Sequence, residues 1–197
     1  MGNLASMDAP PIETAETPLE LDELTLSRAQ RGDEAACRAL LERYQRPVFA
    51  LLSRMLTPKG QRGGCEDLAQ ETFLRVFRAL PAFDRTGPAQ LSTWILTIAT
   101  RLAIDHLRRE SPLTEPLEEH RERLHAAPPP APGLGAALRR AVLSLPPDSR
   151  AVFLLREAHQ LSYDEIARAL QIDLGTVKSR LSRARSALRA LLEDHHE

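Results

Sequence analysis

Six of the fifteen prolines in this chain fall within the 23 residues from Ser111 to Gly133, and they include the run APPPAPG. Proline fixes φ and removes a backbone donor, so neither a helix nor a central strand crosses such a segment. The composition predicts an extended, flexible linker that could span up to ~76 Å. The 197 residues are thereby cut into two units, roughly 21–110 and 134–193. Ahead of them, residues 1–20 are acidic, proline-containing and without apolar period, and are expected to be disordered.

Both units read as helix. Neither shows the sustained alternation that strands need. Leu, Ala and Arg dominate, and aromatic residues make up only 4% of the chain; that composition favours helix. In the first unit, "LDELTLSRAQRG" predicts a short helix ended by Gly32, and Asp33 caps a second helix through "EAACRALLERYQRPVFALLSRML" that Pro47 should kink or split. The third helix, "EDLAQETFLRVFRAL", has Leu68, Phe73, Val76, Phe77 and Leu80 as its apolar stripe and closes at Pro81. After the loop from Asp84 to Gln90, the fourth helix buries Leu91, Trp94, Ile95, Ile98 and Leu102. The predicted class is all-α: two helical domains joined by a Pro-rich flexible linker.

The second unit predicts four shorter helices. Ser162 and Glu165 have the spacing of a capping box, in which side chains satisfy the orphan donors at a helix start. The turn "QIDLG" follows, and Asp173 can cap a final helix from Leu174 to Leu192. A capped helix, a short turn and a second helix form a helix-turn-helix. Its small core is assigned to Ile166, Ala167, Leu170, Ile172, Val177 and Leu181. Those positions leave Lys178, Ser179, Ser182, Arg183 and Arg185 on the outer face, where Arg and Lys suit guanine edges and phosphates.

Charge supports a polyanion partner. The chain carries only −1 overall, yet 28–110 and 134–192 each carry +5, while 1–27 carries −6, 111–133 carries −2 and 193–197 carries −3. Basic modules separated by acidic segments suggest a polyanion such as nucleic acid, and by charge alone equally fit Arg-rich helices with solvated faces. Cys37 and Cys65 are too few for a disulfide framework and lack metal-ligand spacing. A signal peptide and a membrane span are both missing from the pattern, so a cytoplasmic protein without membrane insertion is expected. No Gly-rich phosphate loop, HExxH or nucleophile–base set is visible, and the pairs His120/His125 and His195/His196 read as surface residues; neither an enzyme nor a cofactor is expected.

The stretch "LPPDSRAVFLLREAHQLSYDEIARALQIDLGTVKSRLSRARSAL" resembles the minus-thirty-five-reading domain of extracytoplasmic-function (group 4) sigma factors of the sigma-70 family. "EDLAQETFLRVFRAL" followed by "STWILTIATRLAIDHLRR" resembles their N-terminal domain, in the same order. The likeness covers about 21–193. It implies a subunit that binds core RNA polymerase, recognises minus-thirty-five and minus-ten promoter elements, and promotes DNA melting. An anti-sigma factor is a further partner the resemblance implies.

Roles follow residue by residue. In the third helix, Asp67, Gln70 and Glu71 match the surface that docks on polymerase, and Leu74 and Arg75 lie nearby as further candidates for it. Asp84, Arg85, Thr86 and Gln90 of the loop, with Arg101, His106, Arg108 and Arg109, are the candidates for the opened minus-ten strand. Thr176, Lys178, Ser179, Ser182 and Arg183 match the minus-thirty-five contacts, with Arg156 and Arg185 on phosphates. Trp94 is assigned to packing rather than base stacking. The acids Glu115, Glu118, Glu119 and Glu122 suggest a linker that imitates RNA phosphates in a basic channel. Two departures from the family pattern stand out: Thr100-Arg101 replaces a usual Arg-Asn, and Gln171 occupies a turn position that calls for a left-handed backbone. The competing reading is a stand-alone helix-turn-helix regulator, which would need no polymerase-docking face.

Overall fold

The computed structural model describes residues 20–56, 64–110 and 134–193. The acidic segment 1–19 and the linker 111–133, with its four glutamates, lie outside the described residues. Within them the chain forms α1 (Glu23–Gln30), α2 (Glu34–Met55), α3 (Gly64–Ala79), a 3-10 turn (Leu80–Ala82), α4 (Leu91–Glu110), α5 (Leu134–Ser144), α6 (Pro147–Glu157), α7 (Tyr163–Leu170) and α8 (Leu174–Glu193).

Local chemistry sets the boundaries. Asp22 and Asp33 cap α1 and α2, each accepting a backbone N–H at 2.9 Å, from Thr25 and Ala36. Between them Gly32, at φ 83°, turns the chain through a conformation that a side chain would disfavour. The expected split of α2 at Pro47 does not occur; the helix is assigned unbroken over 22 residues. Tyr44, Val48, Leu51 and Leu52 flank the proline and are fully buried, and that packing outweighs the ~3 kcal/mol an internal proline costs.

In the first domain α2 is the central element, packed against α1, α3 and α4, and α3 also lies on α4. Val76 and Leu80 of the α3 stripe are fully buried, as are Leu91 and Ile95 of the α4 stripe, whereas Trp94 and Ile98 are half-buried. In the second domain α8 packs on α6, α5 and α7. Ile166, Val177 and Leu181 form its sealed centre, while Ala167, Leu170 and Ile172 line the edge.

The linker does not keep the domains apart. α4 packs on α6 and α7, and α2 packs on α5 and α6, so one hydrophobic core runs through both. Arg150 of α6 ties this seam. It is only 4% exposed, and its guanidinium donates to the carbonyls of Leu143 and Leu145 in its own domain and of Met55 at the end of α2. Desolvation lowers its pKa to about 10, and the three carbonyls take the place of water around the charge. His159 is buried in the same seam, close enough to Arg54 to feel its charge.

Candidate nucleic-acid interface

The outer face of α8 follows from its inner one. Val177, Leu181, Ala184 and Leu188 recur at helical spacing and are buried. Lys178, Ser179, Ser182, Arg183 and Arg185 are consequently exposed in one strip. The helix start is fixed by Asp173, whose carboxylate accepts from the Thr176 backbone at 2.7 Å and from its hydroxyl at 2.6 Å. Those bonds hold the Asp173 carboxyl below its usual pKa, the side-chain bond first. The preceding α7 carries both halves of its capping box: Glu165 N–H donates to Ser162 Oγ, and Ser162 N–H donates to Glu165. Between the two helices Gln171 is left-handed at φ 55°, ψ 45°, as the turn requires.

Not every predicted phosphate contact is free. Arg185 reaches back to Glu157 at 2.6 Å, and Arg156 donates to the Leu161 carbonyl at 2.9 Å while lying over the Tyr163 ring. Both guanidiniums are thereby held in fixed positions beside a shallow groove lined by Tyr163, Lys178, Ser182, Arg185 and Arg189. Such a groove, basic and edged with short serines, admits a sugar–phosphate backbone.

On α3, Asp67, Gln70, Leu74 and Arg75 are exposed and Glu71 is half-buried. Their spacing puts them on one helical face. Arg75 pairs with Glu71 at 2.7 Å, and Leu74, at 50% exposure, is an apolar knob within this polar surface. The acids near the helix start favour a cationic partner.

The loop from Asp84 to Gln90 is organised by Asp84. Its carboxylate accepts from the Thr86 hydroxyl at 2.7 Å and the Thr86 backbone at 2.8 Å, which lowers its pKa. Arg85, Thr86 and Gln90 point outward. Trp94 packs against Phe83, ring centroids 4.9 Å apart, which fits a packing role at the base of the loop.

On α4 the structure separates the predicted group. Arg109 is exposed and His106 is half-buried. Arg101 donates to the Ala169 carbonyl at 2.8 Å, and Arg108 pairs with Asp148 at 3.0 Å; both partners belong to the second domain. Asp148 also lies 3.7 Å from Arg180. The domain seam thus occupies two of the cations assigned to the minus-ten strand. Glu20, Gln30, Asp148 and Arg150 carry no local sequence signal, because each bonds a residue at least 40 positions away, and His159 is buried beside Arg54 of the other domain. Cys37 and Cys65 are free thiols whose pKa values are raised by burial, which lowers their reactivity. Among the described residues no group of three His, Cys, Asp or Glu could hold a metal, and no helix is long and apolar enough to cross a membrane.

Comparison with known proteins places both halves. Residues 40–112 match the family description "Sigma-70 region 2", and residues 135–188 match "Sigma-70, region 4". The chain is 34% identical to the RNA polymerase sigma-H factor of Pseudomonas aeruginosa, covering 88% of this chain and 95% of that protein. It is 37% identical to the ECF RNA polymerase sigma factor SigE of Mycolicibacterium smegmatis, covering 83% of this chain but only 65% of that longer protein. Among solved structures, the fold is similar to the sigma factor RpoE of Bartonella quintana, crystallised with the anti-sigma factor NepR. That match has a TM-score of 0.60 and 23% identity, over 79% of this chain and 96% of that one.

Proposed function

Because this chain belongs to the extracytoplasmic-function group of the sigma-70 family of transcription initiation factors, we propose that it is a promoter-specificity subunit of RNA polymerase without catalysis of its own. The observation that carries this is the co-occurrence, in family order, of two different surfaces. One is the exposed face of α3, acidic with an apolar knob at Leu74; the other is the basic, serine-edged outer face of α8. A stand-alone duplex-binding regulator has use for the second only.

In this reading the α3 face docks on core polymerase through Asp67, Gln70, Glu71, Leu74 and Arg75. The start of α8 enters the major groove of the minus-thirty-five element, where Lys178 and Arg183 read base edges, Ser179 and Ser182 let the backbone approach, and Thr176, Arg156 and Arg185 face phosphates. The loop from Asp84 to Gln90 and the exposed cations of α4 hold the opened minus-ten strand. Here hydrogen bonds and shape must do the work, since no aromatic residue lies between Asp84 and Gln90. Arg101 and Arg108 reach that strand only after leaving Ala169 and Asp148, so the domain seam parts as polymerase and promoter are bound. A cytoplasmic protein with an anti-sigma partner completes the proposal.

The test is run-off transcription with purified core polymerase, this protein and a library of promoter fragments. Discrete transcripts that depend on the protein, and that vanish when Asp67, Gln70 and Glu71 are replaced, are the expected result. Specific duplex retention by the protein alone, with neither core binding nor initiation, would establish the stand-alone regulator instead.

A further inference from the structure

Helix α4 begins without a cap of its own. Gln90 supplies the carbonyl that accepts from Trp94 N–H at 3.0 Å, so it stands at the N-cap position, where a long amide side chain is a poor substitute for Ser, Thr, Asp or Asn. The first N–H groups of the helix are satisfied from elsewhere. The carboxylate of Glu20 accepts from Leu91 N–H and Ser92 N–H, both at 3.1 Å, across 71 and 72 residues of sequence. Leu91 and Ser92 are buried, so these donors have little water to turn to. The negative charge also complements the positive end of the α4 dipole.

The other end of the loop is held by the same segment. Gln30, the last residue of α1, donates its side-chain amide to the Leu80 carbonyl at 3.1 Å and to the Phe83 carbonyl at 2.8 Å. The segment itself is anchored on α2, where Tyr44 Oη accepts from Leu21 N–H at 3.3 Å. Residues 20–30 thus form a strap that grips both the entry and the exit of the loop from Asp84 to Gln90. Inside the loop Asp84 accepts short-range hydrogen bonds, from Thr86 at its carboxylate and from Gly87 N–H at its backbone carbonyl.

We propose that Glu20 and Gln30 are positioning residues for promoter opening: they fix the two ends of the minus-ten loop so that Thr86 and the uncommitted side chain of Gln90 meet the extruded base and strand in a preset geometry. The inference rests on the reading that this loop contacts the opened strand. Glu20 relieves Gln90 of capping, and so leaves it for DNA.

The experiment uses full-length protein with core polymerase on a promoter found by run-off transcription, carrying 2-aminopurine in the minus-ten element to report opening. Glu20→Ala and Gln30→Ala should each slow opening about tenfold, equivalent to about 1.4 kcal/mol. Their affinities for core polymerase and for an isolated minus-thirty-five duplex should stay within about twofold of the parent. Glu20→Gln keeps an acceptor but no charge, and should recover part of the rate. Opening at the parental rate in both alanine variants overturns the inference. So does a parallel loss of opening, core binding and duplex binding, which would mark a general loss of folding. Thr86→Ala and Gln90→Ala are measured alongside: if they leave opening unchanged, the reading of the loop itself falls, and the strap's role falls with it. If they impair opening while Glu20→Ala and Gln30→Ala do not, only the strap is refuted.

Discussion

Acidification from pH 7 to pH 5 should loosen this protein through one side chain, His159. The imidazole is 4% exposed, and neither ring nitrogen finds a hydrogen-bond partner among the described residues. Burial, assisted by the charge of Arg54, lowers its pKa from 6.5 to about 4. A base with a depressed folded pKa contributes stability that is fully present above 6.5 and is lost as pH falls from there toward 4. Integrating the difference in proton binding gives a loss that is small at pH 7 and reaches about 2 kcal/mol at pH 5. The assay is urea denaturation followed by circular dichroism at half-unit pH steps, for the parent and for His159→Leu. Asp22, Asp33, Asp84 and Asp173 have lowered pKa values and are present in both proteins, so their acid titration cancels in the comparison. The parent should lose about 2 kcal/mol more than the variant over this interval. Equal slopes would refute the reasoning and show that His159 is solvated, or protonated in place.

Arg150→Met should cost about 3 kcal/mol in the same denaturation assay, because the buried carbonyls of Met55, Leu143 and Leu145 lose a shared donor. Small-angle scattering of that variant should show a larger radius as the seam loosens. Gln171→Gly relieves a left-handed backbone at a non-glycine residue, and should raise stability by about 0.5–1 kcal/mol, read as an increase in Tm. Arg183→Ala should weaken binding to the minus-thirty-five duplex roughly tenfold at fixed salt, and fluorescence anisotropy will show whether specificity among duplexes relaxes as a base contact demands.

The helices and their ends were legible because the signals lie within a few residues. Asp33, the Ser162–Glu165 box and Asp173 each cap a backbone group three positions away. Gly32 takes a positive φ that glycine alone adopts without cost, whereas the left-handed backbone of Gln171 was expected from the family turn and runs against local sterics. The exposed strip of α8 was readable from the period of Val177, Leu181, Ala184 and Leu188, since a helix with a buried face has its opposite face determined. The split that Pro47 allows does not occur because the opposing term, burial of Tyr44, Val48 and Leu51, depends on packing against other helices.

By itself, then, the sequence determined the helices, the caps supplied by near neighbours, and which residues of α3 and α8 face outward. Only the tertiary structure decided how those pieces constrain one another. The seam engages Arg101 with Ala169 and Arg108 with Asp148. Glu20 caps a helix 71 residues later, and Arg150 joins carbonyls of both domains. The physical reason is common to all of these. A cap or an apolar stripe is set by neighbours along the chain, whose spacing the backbone fixes. A buried guanidinium or a borrowed helix cap is set by whichever polar group the folding of distant segments leaves without water, and no spacing in the sequence encodes that.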